Sequence, residues 1–184
     1  MALAKWTYMQ DLFDYARKAG IELKSVGACQ FCNSAVSRGV FECHENLSLL
    51  TEILDFNNPI YYQTRFLSVD AMALQHCELH GPWNNHIHLT RLCLMLEKNI
   101  YWDYSKTPLL SNIINIYKKD KKESLMPPQP AERGKLTSSD LLTASTPEEC
   151  ITTVKCWASA VYYSFHNHQS IISSIASNFL NKHK

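Results

Sequence analysis

Two cysteines separated by two residues, Cys29-Gln30-Phe31-Cys32, are the part of this chain whose chemistry is easiest to name. That spacing lets two sulfurs converge on one tetrahedral ion, and a closed zinc site then needs two further Cys or His ligands. Cys43 and His44 follow close enough in sequence to supply one or two of them. A redox dithiol is the competing chemistry, but such a pair should open a helix after a strand. Gly27-Ala28 before the pair and Asn33-Ser34 after it give no such setting. The chain has seven cysteines, an odd number, and reduced thiols are the expectation. Cys77, Cys93, Cys150 and Cys156 read as small buried apolar groups.

The histidines form a second constellation. His76 shares a helical face with Val69, Met72 and Ala73, and His88 shares one with Leu92 and Met95. His168 falls inside the stripe Trp157, Val161, Phe165, Ile172, Ile175 and Phe179, which recurs at spacings of four and three. A lone histidine on such a face is more often a hydrogen-bonded core group than a ligand. Three of them from three helices are what a metal or proton-transfer site inside a bundle requires. Asp70 adds a carboxylate to the same apolar stretch, and His80, His86 and His166 are the substitutes if a face is off by one. The candidate metal ligands are therefore Cys29, Cys32, Cys43, His44, His76 and His88, with Asp70 and His168 as candidate catalytic groups and zinc or another divalent transition metal as the ion.

The elements that must position these groups are helical. Trp6 to Ala19 reads as a first helix stopped by Gly20, and an irregular, knuckle-like segment follows over about residues 25–45. Helical patterns then run from Cys43 to Phe56, from Tyr61 to Leu79, from a cap at Asn84 or Asn85 to Lys98, and from Leu109 to Lys122. A proline-rich connection over about 126–135 breaks the series. The last helix has the clearest start, with Thr146 as cap, Pro147 in first position, and Glu148 and Glu149 at the positive end of the dipole. The expectation is a mainly α, single-domain helical bundle over residues 1–184, with the CxxC segment between its first and second helices.

Composition narrows the function. The 184 residues are 46% hydrophobic, enough for one sizeable core, and a formal net charge of +1 provides no field for nucleic acid or anionic lipid. Lys5, Asp11 and Asp14 interrupt the first apolar stretch, so a secretory signal is not expected and a cytoplasmic location is. Trp157 to Asn181 lacks charged residues, but its many Ser, Asn and His side chains make it a core helix rather than a membrane span. Aromatics such as Tyr61, Trp83 and Tyr162 come without a basic groove and read as packing. No Gly-rich phosphate loop, GxSxG or HExxH occurs.

Several motifs in order carry a resemblance: Cys29 to Cys32, Val69-Asp70-Ala71-Met72-Ala73-Leu74-Gln75-His76, His88-Leu89 with Leu92, Pro127-Pro128 ahead of Gly134-Lys135-Leu136-Thr137, and Trp157-Ala158 ahead of His168. Over about residues 27 to 175 the chain resembles an uncharacterised bacterial domain-of-unknown-function family. The family implies no reaction. It implies Cys29, Cys32, Cys43, Asp70, His76, His88 and His168 as matching positions. The chain departs from it at Cys77, where the family has Pro, and at Asn167, where it has the first of two paired histidines.

These readings lead to a metal-binding helical protein, zinc being the expected ion. One alternative is a metal-dependent enzyme of hydrolase or transferase type, in which His76, His88 and His168 hold a catalytic ion and Asp70 orients one of them, as in the DinB-like helical-bundle families. The other is a non-enzymatic interaction module.

Overall fold

The computed structural model describes residues 13–121 and 124–183. The first helix, α1, is described over 13–19, so the expected contributions of Trp6, Met9 and Leu12 lie outside the described residues, as do Lys122 and Glu123. An irregular segment then runs to Arg38, and seven further helices follow: α2 (Gly39–Ser48), α3 (Leu50–Ile53), α4 (Tyr62–Gln75), α5 (Pro82–Leu96), α6 (Thr107–Lys121), α7 (Pro147–Ser164) and α8 (Gln169–Lys182). The fold is mainly α, and its extended backbone pairs only in one isolated bridge, Gly27 with Arg38, among the described residues.

Helices α4, α5, α7 and α8 build the centre, with α4 against α7 and α5, and α5 against α8; α6 covers α5 and α8. Leu74, Leu89, Leu92, Val154, Trp157, Phe165, Ile175 and Phe179 fill that interior, each 2% exposed or less. Trp102, from the α5–α6 connection, stacks on Phe179 with ring centres 5.4 Å apart. The cysteine-bearing segment joins the same continuous core through Phe31, Val40 and Phe41. No helix is long and apolar enough to cross a membrane among the described residues.

The strongest local signal behaves as its chemistry requires. Thr146 Oγ1 accepts from the Glu149 amide at 3.2 Å, and the Glu149 carboxylate accepts in return from the Thr146 and Ser145 amides. Other boundaries move. The irregular segment ends at Arg38 rather than near residue 45, because Glu42 accepts from the Ser37 and Arg38 amides and so starts α2 early. The expected helix from Cys43 to Phe56 divides at Leu49 into α2 and α3. Gly81 and Pro82, not Asn84 or Asn85, begin α5; the Asn85 side chain instead donates through Nδ2 to the Cys77 carbonyl at 3.0 Å. The proline-rich connection is extended except for a 3-10 turn at Pro130–Glu132.

The last helix is two. Ser164-Phe165-His166-Asn167-His168 is a run of weak helix formers. The Ser164 hydroxyl turns back to the Val161 carbonyl at 2.6 Å, and the chain leaves α7 at Phe165 for a 3-10 turn before α8. The apolar stripe survives on both sides, but its phase resets and His168 comes out half-buried, outside the core.

Candidate metal centre

The CxxC pair sits in a closed loop. The Gly27 amide donates to the Ser37 carbonyl and the Gly39 amide to the Gly27 carbonyl, which pins the two ends together. Inside, the Asn33 amide donates to the Cys29 carbonyl at 2.9 Å and the Cys29 amide to the Ser34 carbonyl at 3.0 Å, folding Gln30, Phe31 and Cys32 into a tight turn. Asn33 takes the left-handed conformation, φ 58°, which asparagine tolerates better than most residues. Gly39 closes the loop at φ +57°, and a Cβ there would lie 2.2 Å from the Lys24 carbonyl oxygen.

Cys43 enters from α2, and its Sγ lies 3.6 Å from that of Cys32. His76 enters from the end of α4, with Nε2 3.3 Å from Cys29 Sγ. The three sulfurs and this nitrogen lie within 4.8 Å of one another, and all four residues are buried. No pair is at the roughly 2.05 Å of a disulfide; all seven cysteines are free thiols.

His76 is held in one tautomer. Its Nδ1 lies 2.8 Å from the Met72 carbonyl, where an N–H must donate, so the nitrogen that faces Cys29, and that would carry the lone pair of the neutral ring, is Nε2. Helix α4 stops here because its last carbonyls find other partners: Gln75 O accepts from Arg133 Nη1 at 3.0 Å. That guanidinium is 2% exposed and also donates to the carbonyls of Phe31 and Pro128 and to the Glu78 carboxylate. Gln75 completes the fastening, donating to the carbonyls of Arg133 and Leu136 and accepting from the Trp157 indole at 3.0 Å.

With no ion bound, the cluster shares its protons unevenly. Hydrogen bonds from Cys32 and Cys43 pull the Cys29 thiol far down, while the bond to Cys29 pushes Cys32 far up. Burial works against a charged His76, yet hydrogen bonds to Cys29 and Cys43 and their charge outweigh it and raise the imidazole to about 9. Burial, then the charge of His76, lowers His44 to about 3. The pocket thus attracts positive charge at its centre and excludes it from the adjoining imidazole.

A model for a family of unknown function (DUF5946) matches residues 27–166 of the 184. The chain belongs to this family. The matched stretch opens at the Gly27 base of the loop, and the DUF5946 region contains all four residues of the cluster. No curated protein matches the chain, and no solved structure does.

The candidate residues divide into groups. Cys29, Cys32, Cys43 and His76 come together. His44 stands beside them with its ring 5.6 Å from that of His76, one helical step round α2 from Cys43. His88 is elsewhere: its Nδ1 donates to Asp70 Oδ1 at 2.7 Å, and Asp70 is clamped by Arg91 through both carboxylate oxygens. His168 does not face the interior with His76 and His88; its Nε2 lies 2.8 Å from the Met126 carbonyl at the surface. His86 stacks on Trp83, His80 neighbours His88, and His166 is exposed. Cys156 is exposed, unlike Cys77, Cys93 and Cys150. Sequence reasoning missed Arg133, Gln75 and Glu78, which hold the CxxC turn to α4; Gln75 beside His76 in the resemblance motif was the available hint.

Proposed function

We propose that Cys29, Cys32, Cys43 and His76 bind one zinc ion as a closed structural centre, and that this ion fastens the cysteine loop and α2 to the end of α4. The observation that carries the reading is the mutual approach of four soft ligand atoms within 4.8 Å. Around zinc, sulfurs at about 2.3 Å stand about 3.8 Å apart, and a sulfur and an imidazole nitrogen slightly less. The 3.6 Å between Cys32 and Cys43 and the 3.3 Å between Cys29 and His76 approach two opposite edges of that tetrahedron. Four protein ligands leave no position for a substrate, which favours a structural over a catalytic role.

The surroundings suit the ion. Three thiolates, a neutral imidazole and Zn²⁺ carry a net charge of −1, and the buried Arg133 guanidinium lies in the field of Cys32. The Met72 carbonyl holds His76 as a carbonyl or carboxylate usually holds a metal-bound imidazole. Thiolate-rich sites prefer zinc or copper(I) over harder ions. A redox dithiol fits less well, because Cys29 and Cys32 lie in a loop and α2 begins only at Gly39.

Elemental analysis of protein purified without chelators tests this. The expected result is one zinc per chain, with less than about a tenth retained in Cys32→Ser and His76→Ala. A wild-type protein that neither carries zinc nor takes it up from a competing indicator would remove the centre.

A further inference from the structure

A second set of imidazoles lies apart from the cysteines. His88, on α5, and His80, in the corner between α4 and α5, are neighbours, with ring centres 5.6 Å apart and planes inclined at 58°. Two imidazoles sharing one ion at metal–nitrogen distances of about 2.0–2.1 Å have ring centres about 5–5.5 Å apart. The observed spacing is within a few tenths of an ångström of that range.

The orientation of His88 is fixed from behind. Its Nδ1–H donates to Asp70 Oδ1, which turns the Nε2 lone pair to the opposite edge of the ring. Asp70 is fully buried, and Arg91 grips it through both oxygens. Arg91 is itself held over the Phe66 ring at 4.7 Å. If neutralising a buried carboxylate were all that was needed, Arg91 would suffice. Spending one of its oxygens on His88 gives the carboxylate–imidazole arrangement that orients metal ligands. His88 keeps 16% of its side chain open to solvent, and His80 is half-buried, so neither ring is sealed from water.

We propose that His80 and His88 form a second site for a divalent transition metal of the imidazole-binding class, such as nickel, with Asp70 as positioning residue and the remaining coordination positions open to water or an oxygen-donor ligand. This site shares no ligand with the cysteine centre and does not depend on it. Where that centre has four protein ligands and is closed, this one has two and is open. Exchange chemistry belongs here rather than at the cysteines.

Equilibrium dialysis of the zinc-loaded full chain against nickel(II), followed by cobalt(II) spectroscopy, tests the site. Wild type should take up one nickel without losing its zinc. His80→Ala and His88→Ala should each weaken nickel binding at least tenfold, and Asp70→Asn by about 10–100-fold, the loss typical for a partner behind a ligand. Cobalt at this site should give no thiolate-to-metal charge-transfer band, in contrast to cobalt at the cysteines. His80→Gln, melted alongside, keeps the corner polar and separates loss of ligation from loss of folding. The proposal is overturned if wild type takes up no nickel, if His80→Ala and His88→Ala bind it as tightly as wild type, or if the cobalt spectrum carries the sulfur band. Absence of zinc from the cysteines with nickel still bound would sink the first centre and leave this one.

Discussion

Arg133 Nη1 donates to the Phe31 carbonyl at 3.1 Å, so the turn between the two CxxC cysteines is held by a side chain 102 positions further along the chain. The same guanidinium reaches Gln75, the residue before His76. One buried cation thus fixes the spacing between the loop cysteines and the histidine at the end of α4.

Replacing Arg133 should therefore disturb both stability and metal affinity. Arg133→Ala leaves three carbonyls and a half-exposed Glu78 without their donor, a loss of about 3 kcal/mol. The centre should bind zinc about 10–100-fold more weakly, as expected when a supporting contact is removed. Urea denaturation and an indicator competition read the two effects separately. An unchanged zinc affinity in a destabilised variant would show that Arg133 supports the fold alone.

Chelation should loosen one end of the molecule and spare the rest. An ion present at about a thousand times its dissociation constant adds about 4 kcal/mol. For a chain of this length, that lowers the melting temperature by about 8–16 °C on removal. The α4, α5, α7 and α8 interior contains none of the three clustered cysteines, so helical circular dichroism should persist below the new transition. A melting temperature indifferent to chelator contradicts the structural role.

Thiol counting gives an independent measure. Cys156 is exposed, whereas burial pushes Cys77 up to about 12 and also raises Cys93 and Cys150. A thiol reagent should react quickly with one cysteine in the metal-loaded protein, with up to four once chelation has loosened the cysteine loop, and with all seven in denaturant. An open cleft lined by Cys32, Ser34 and Thr137 gives chelator its approach. Four fast thiols in untreated, zinc-containing protein would mean that the ion sits elsewhere.

Asp103 provides a pH test away from the metal. Hydrogen bonds from Lys106 and Ser105 hold its carboxyl near 2, below the ordinary value. A carboxylate lowered by folding adds stability above its unfolded pKa, and this is lost as pH falls through the folded value. The stability difference between wild type and Asp103→Asn should be constant above about pH 4 and shrink between about 4 and 2. Because the side chain is partly exposed, the whole difference should stay within about 1 kcal/mol and diminish in high salt. A difference independent of pH would remove the charge from the account.

Much of this centre was legible from the order of residues. Cys29, Cys32, Cys43 and His76 could be named because CxxC spacing and the face shared by Met72 and His76 are local patterns. Choosing Cys43 over His44 was not possible, since neighbours on a helix point about 100° apart and the choice depends on where α2 begins. Asp70 was readable as an orienting carboxylate, though the histidine it meets could be identified only once α4 and α5 were paired. His168 misled because its stripe was followed through Phe165 as if one helix continued. Arg133 gave no signal at all: it stands in a proline-rich connection, and its partners are backbone carbonyls, which sequence does not advertise.

Position 39 carries an evolutionary consequence. Any side chain there would collide with the backbone of Lys24, and the required φ of +57° already disfavours it, whereas a Cβ at Gly81 meets open space. Homologues should therefore drift at 81 while retaining glycine at 39 as faithfully as the cysteines themselves, and a lineage that has lost one of those thiols should be the first in which 39 is free to change.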